Sequence, residues 1–201
     1  MVVALQPLHQ KFQLKRVVVS TYQSVTGTGQ KAVQQMFDER AGNTAERVYP
    51  HPIDLNALPH IDVFMADGYT KEEWKMMVET RKIMGLPELK ITATTVRIPT
   101  VGGHSESINA SFEKPISVAE IKEILSDAPG VTLQDNPEIF EYPMPLTSHD
   151  KDDVFVGRIR MDDSEANTIN MWVVADNLRK GAATNAIQIA ELLIQKGWFD
   201  A

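Results

Sequence analysis

Two pairs of β-rich runs lie so close together in this chain that their direction is fixed by the links alone. Residues 89–98 (LKITATTVRI) are followed, across the Gly102-Gly103 turn, by a second run from His104 to Phe112. Residues 153–161 and 167–175 form another closely linked pair. A parallel crossover needs about a dozen residues or more, so both pairs read as antiparallel hairpins. A further run, residues 14–22 (LKRVVVSTY), is rich in β-branched side chains and reads as a buried strand. Helical periodicity appears between these groups, at Met1 to Phe12, Gln30 to Arg40, Lys71 to Met84, Val118 to Ser126 and Leu178 to Lys196. The expected class is therefore α+β, with a mixed, mostly antiparallel sheet.

Local chemistry supports these boundaries. Thr70 is a candidate N-cap with Glu73 three residues on, the spacing of a capping box, and Gly85 and Pro87 stop that helix. Residues 42–61 hold Pro50, Pro52 and Pro59 and read as a long irregular connection. The last helix carries Ala183, Ala186, Ile187, Ile189, Ala190, Leu193 and Ile194 around much of its girth, so it needs cover on more than one side.

Composition removes several functions. The net charge of -7 argues against nucleic acid and against an anionic membrane surface as partners. No apolar run reaches the roughly 18 residues of a membrane span, and Met1 to Leu5 lacks the basic flank of a signal peptide, which points to the cytoplasm. The chain has no cysteine, so it has no disulfide, no thiolate metal site and no cysteine nucleophile of its own. Its opening, directly into an apolar segment, is read either as an ordinary amphipathic first helix or as a cut within a longer protein.

Among titratable groups His104 stands out. It follows two glycines and shares a strand face with Glu106, Ile108, Ala110 and Phe112, so it lies at the polar end of a core-facing row. Such an imidazole suits proton transfer; a boundary histidine satisfied by its neighbours is the competing reading. Arg97, on the preceding strand, can border the same pocket and clamp a carboxylate, or form a surface ion pair. Glu72 and Lys75 share a helix face that Glu79 and Lys82 continue, with Trp74, Met77 and Val78 as the buried side. That pair offers an acceptor for an ammonium and a cation for a phosphate, or is a solvated charge stripe. Gln23 ends the first strand before the loop Thr26-Gly27-Thr28-Gly29, whose N–H groups can cradle a phosphate or a cofactor amide, or simply turn the chain. The five histidines show no metal-ligand spacing, and no metal is assigned.

Taken together, these segments resemble one family, the aspartate-semialdehyde dehydrogenases. Ser20-Thr21-Tyr22-Gln23 with Thr26-Gly27-Thr28-Gly29 is similar to the family's glutamine-bearing strand and loop. Lys71-Glu72-Glu73-Trp74-Lys75 and Glu79-Thr80-Arg81-Lys82-Ile83 resemble its substrate-facing helix. Arg97-Ile98-Pro99 with Gly103-His104-Ser105 resembles its arginine and histidine strands. Val156-Gly157-Arg158-Ile159-Arg160, Met171 to Asn177 and Lys180-Gly181-Ala182-Ala183 resemble its closing strands and last helix.

The resemblance covers nearly the whole chain, residues 1–201 as one catalytic and dimerisation domain of the glyceraldehyde-3-phosphate dehydrogenase C-terminal type. It implies NADPH-dependent reduction of L-aspartyl 4-phosphate to L-aspartate 4-semialdehyde, a step toward lysine, diaminopimelate, methionine and threonine. It implies a homodimer, with NADP bound mainly by an N-terminal Rossmann domain that this chain does not contain and against which helix 178–196 packs. The implied roles are His104 as acid/base partner, Gln23 orienting the acyl group, Arg97 on the α-carboxylate, Glu72 on the ammonium and Lys75 on the phosphate. Asn177, with Thr26 and Gly27, would meet the nicotinamide end; Thr26 stands where the family usually has serine. The family's Asn-Cys-Ser/Thr motif lies upstream of the segment that begins here with Met1. The fragment itself is then expected to be inactive. A non-catalytic dimerisation or regulatory module of the same family is the alternative. A reductase of N-acetyl-glutamyl phosphate is disfavoured, because an acetylated amine does not call for Glu72.

Overall fold

The computed structural model describes residues 1–198. In chain order its elements are α1 (Val2–Phe12), β1 (Leu14–Ser24), a 3-10 turn (Val25–Thr28), α2 (Gln30–Arg40), α3 (Lys71–Met84), β2 (Lys90–Ile98) and β3 (His104–Phe112). There follow α4 (Val118–Asp127), β4 (Val131–Leu133), a 3-10 turn (Pro137–Ile139), α5 (Pro145–Ser148), β5 (Val154–Met161) and β6 (Thr168–Ala175). A π-helical turn (Arg179–Ala183) leads into α6 (Thr184–Gln195).

One six-stranded sheet has the order β2-β1-β3-β6-β5-β4. The pairs β1–β3, β3–β6 and β5–β6 are antiparallel, while β1–β2 and β4–β5 are parallel. The expected hairpin between the Arg97 and His104 strands is therefore wrong in adjacency, though right in direction. β1 lies between them, parallel to β2 and antiparallel to β3. Its continuous β-branched run suits a strand bonded on both edges. The link from β2 to β3 crosses the end of β1 and is tied there, with Val25 N–H and the Ser24 hydroxyl both donating to the Thr100 carbonyl.

One face of the sheet is covered. Ala4, Leu5, Leu8 and Phe12 of α1, Met84 of α3, and Ile121 and Leu125 of α4 bury against Val17, Val19, Ile91, Ala93, Ile108, Ala110, Met171 and Val173. The capping box at Thr70 is present in full, with the Glu73 carboxylate returning to Thr70 N–H. That carboxylate also accepts from Thr95 N–H on β2, at 2.9 Å. The tie orients α3, so that Glu73, Thr80 and Met84 are buried, with Met76 and Met77 half-buried against the core. Trp74 and Val78, expected inside, are 43% and 37% exposed.

A smaller core joins Val25, Ala32 and Met36 to Ile53 and Leu58 of the long connection. The sheet's other face carries Val18, Tyr22, Asn109, Asn170 and Trp172, with the Tyr22 and Trp172 rings 5.3 Å apart. The expected single helix over 178–196 is instead a π turn followed by α6, which contains no buried residue.

Candidate active site

At one end of the sheet the helix-covered face turns polar on three neighbouring strands. On β1 Val17 and Val19 give way to Thr21 and Gln23; on β2 Ile91 and Ala93 give way to Thr95 and Arg97. On β3, Ala110 and Ile108 give way to Glu106 and His104. Gln23 and Arg97 are register partners on adjacent parallel strands. The central position of β1 thus sets its glutamine between the arginine and the histidine.

His104 is held at the ring. Its Nδ1 accepts from Ser24 N–H at 3.2 Å, so the proton of the neutral imidazole sits on Nε2. Burial pushes its pKa down to about 4, and the charge of Arg97 adds to that, against the opposing charges of Glu106 and Glu72. Near neutral pH the ring is therefore uncharged and presents an Nε2–H donor. The backbone before it is equally constrained. Gly103 has φ +146°, and a Cβ there would lie 2.8 Å from the Ala175 carbonyl oxygen.

Arg97 is 5% exposed, and its guanidinium donates to the Ser24 carbonyl at 2.6 Å. Among the described residues its Nε has no partner, so donor capacity remains unused in a buried setting. Burial lowers its pKa, opposed by the charge of Glu72. The backbone of Arg97 is bridged by Leu58, whose loop α2 anchors. Gln35 accepts from Val48 and Tyr49 N–H, and Glu39 accepts from Ile53 and Asp54 N–H.

Gly27 is where these groups meet. A Cβ on it would fall 3.1 Å from an Arg97 terminal nitrogen and 3.1 Å from His104 Nε2. Opposite, the Glu72 carboxylate takes the Lys75 ammonium at 3.0 Å and, at 3.5 Å, the Gln23 amide. That partner and its charge raise the Lys75 pKa. Thr26 donates through its hydroxyl to Asn177 Oδ1 at 2.9 Å, and its hydroxyl oxygen lies 2.7 Å from that of Ser24. The structure thus brings Gln23, Thr26, Gly27, Glu72, Lys75, Arg97, His104 and Asn177 to one rim, and the expected flexible loop at 26–29 begins as a 3-10 turn.

Sequence reasoning missed Ser24. It is fully buried, and its N–H, carbonyl and hydroxyl contact His104, Arg97 and Thr26 respectively. The only signal was its place after Gln23. Near the rim, His149, Asp150 and Asp176 also cluster. Asp176 already accepts from Asp150, Leu178 and Arg179 N–H and pairs with His149, which makes it a cap for the final helical segment.

Comparison with known proteins identifies the family. The family model for the dimerisation domain of semialdehyde dehydrogenases matches residues 5–180. The chain belongs to this family. It is 55% identical to the aspartate-semialdehyde dehydrogenase of Aquifex aeolicus, over 98% of this chain and 60% of that protein. It is 47% identical to that of Bacillus subtilis, over 96% of this chain and 60% of that protein. Among solved structures, aspartate semialdehyde dehydrogenase II of Vibrio cholerae complexed with ASA superposes with a TM-score of 0.91 at 41% identity, covering 97% of this chain and 59% of that one. The Candida albicans enzyme with NADP gives 0.71 at 26% identity, covering 96% and 54%. The dehydrogenase-family chain thus spans about 60% of the length of the curated relatives it matches. Its mixed sheet with helices is the C-terminal domain fold of the glyceraldehyde-3-phosphate dehydrogenase type.

Proposed function

We propose that this chain is the substrate-binding and dimerisation half of an aspartate-semialdehyde dehydrogenase, working in the cytoplasm as part of a longer protein. The observation that carries the proposal is the meeting of Arg97 and His104 at Gly27, opposite Glu72 and Lys75. L-Aspartyl 4-phosphate presents an α-carboxylate, an ammonium and a phosphate. The rim offers a guanidinium, a carboxylate and an ammonium in answer. Arg97 holds the α-carboxylate, Glu72 the amine and Lys75 the phosphate. The Glu72–Lys75 ion pair opens as substrate enters, each partner exchanging its internal counter-ion for a substrate group.

His104 donates from Nε2 toward the reacting centre and exchanges a proton there, while Gln23 orients the acyl carbonyl. The acyl group is carried on a thiol, which this cysteine-free chain does not hold. Bound NADPH supplies the hydride. The residues here fit its amide end: Thr26 fixes Asn177 through Oδ1, which leaves the side-chain nitrogen to donate to a nicotinamide carbonyl, and Gly27 keeps the approach free of a side chain. The remaining cofactor contacts, and cover for the exposed Ile187 and Ile194 of α6, come from the rest of the whole protein.

The sheet face opposite the helices, where Tyr22 and Trp172 are half-buried and the Pro143 carbonyl accepts from the Trp172 indole, is where two copies pair into a homodimer. Among the described residues no helix is long and apolar enough to cross a membrane.

The test uses the complete protein. Semialdehyde, phosphate and NADP+ should yield NADPH, and His104→Asn should reduce the rate by about 10²–10⁴-fold. A near-normal rate in that variant removes His104 from the mechanism, and a wild-type protein without turnover refutes the assignment.

A further inference from the structure

Asp176 is a buried carboxylate between two residues that border the site. On one side, Ala175 is the register partner of His104, and its carbonyl lies where a side chain on Gly103 would fall. On the other, Asn177 accepts the Thr26 hydroxyl through Oδ1. β6 ends at Ala175, and the chain turns at once toward the final helical segment. Both oxygens of Asp176 are engaged at that turn. Oδ1 accepts from Leu178 N–H at 2.8 Å and from Arg179 N–H at 3.2 Å. Oδ2 accepts from Asp150 N–H at 2.9 Å and takes His149 Nδ1 at 3.1 Å. Burial raises the pKa of this group, but the three backbone N–H groups and His149 outweigh it and leave the carboxyl below its ordinary range. His149 packs in turn on the glycines that lead to His104: a Cβ on Gly102 would lie 2.9 Å from the His149 Cβ. One carboxylate thus joins the end of β6, the final helical segment and the segment beside Gly102.

We propose that Asp176 is a positioning residue for the cofactor half of the site: it fixes the turn after β6 and so aims the Asn177 amide at the nicotinamide. The inference rests on the functional reading above, in which Asn177 donates to the nicotinamide carbonyl. Capping alone does not call for this residue. A single side-chain oxygen, as in serine or asparagine, serves the N–H groups at a helix start. The second oxygen of Asp176 reaches back 26 residues to Asp150 and ties the turn to the segment that packs on Gly102. The backbone of Asn177 is therefore held from both sides before Thr26 meets its side chain. Asparagine at position 176 would keep one acceptor oxygen and turn an amide N–H toward other donors, so half of the tie would be lost.

The test compares two ligands on the complete protein. In calorimetry Asp176→Asn should weaken NADP+ about fivefold, the worth of one hydrogen bond. Affinity for phospho-ADP-ribose, the cofactor without its nicotinamide, should stay within about twofold, because that part of the ligand does not meet Asn177. Beside Asn177→Ala the same substitution should add less than about twofold, since a residue that acts through another has little left to lose there. Equal losses for the two ligands, an undiminished loss beside Asn177→Ala, or wild-type NADP+ affinity in Asp176→Asn each overturn the assignment. If Asp176→Asn does not fold, His149→Phe decides: it removes one donor from the tie and keeps a ring against Gly102, and it should weaken NADP+ alone, by about threefold. Wild-type NADP+ affinity in that variant then overturns the assignment. A wild-type protein that binds no NADP+ counts against the dehydrogenase reading instead. The nuclear Overhauser contact between the Thr26 and Asn177 side chains of this chain then decides the positioning role: it should weaken in Asp176→Asn, or in His149→Phe where that variant stands in, and an undiminished contact overturns it.

Discussion

Replacing His104 with glutamine should remove much of this domain's loss of stability in mild acid. The folded ring has a pKa of about 4 against an ordinary value of 6.5, because burial and Arg97 both oppose a second positive charge. The unfolded chain therefore binds a proton that the folded chain refuses. The sign follows: the advantage of the neutral ring is complete above about pH 6.5 and drains away as pH falls toward 4. Each tenfold step in proton affinity is worth about 1.36 kcal/mol, so between about pH 7.5 and about pH 5 the wild type should lose about 2 kcal/mol through this one group. Urea unfolding of this chain and of His104→Gln at both pH values measures it. The variant starts lower, having lost the Ser24 contact, but the gap should narrow by about 2 kcal/mol at the acid pH, since carboxylate titrations affect both proteins alike. Parallel losses in the two proteins would show that His104 is not held uncharged by its surroundings.

Three more expectations can be checked separately. Gly27→Ala should cut kcat/KM of the complete protein by at least about tenfold while leaving its melting temperature within a few degrees, because the added methyl meets Arg97 and His104 at 3.1 Å. Normal kcat/KM would mean that the two side chains move aside freely. Thr70→Ala removes one half of the capping box on α3 and should cost about 1 kcal/mol in urea unfolding. An unchanged midpoint would assign that helix's stability to Glu73 and packing alone. In light scattering at micromolar concentration this chain should have the mass of a homodimer, and Trp172→Glu should give a monomer; a monomeric wild type counts against pairing through the Tyr22 and Trp172 face.

What the sequence disclosed follows from which forces are local. The bounds of α3, its capping box and its glycine stop come from contacts within a few residues, and the structure places them where the pattern does. The neighbour of a strand is a non-local choice. The short link between β2 and β3 gave their direction, but only the demand of β1 for partners on both edges decides that it separates them. The inward side of α3 was misjudged for a related reason. Glu73 bonds Thr95 across 22 residues, a contact that hydrophobic spacing cannot register, and it turns Trp74 outward. The candidate rim was legible as residue types, because an imidazole after two glycines and a charged pair on a helix face are local patterns. Ser24 was not legible, since it acts through backbone groups that any residue possesses.

The order of synthesis makes the central strand the exposed one. β1 is complete by Ser24, yet the strands that cover its two edges begin at Lys90 and His104. For all of that interval a β-branched ribbon has open N–H and C=O groups on both sides, a template for pairing with another chain. Nascent chains halted between those points should be the species that aggregate or recruit a chaperone, while a release past Phe112 leaves neither edge of β1 free.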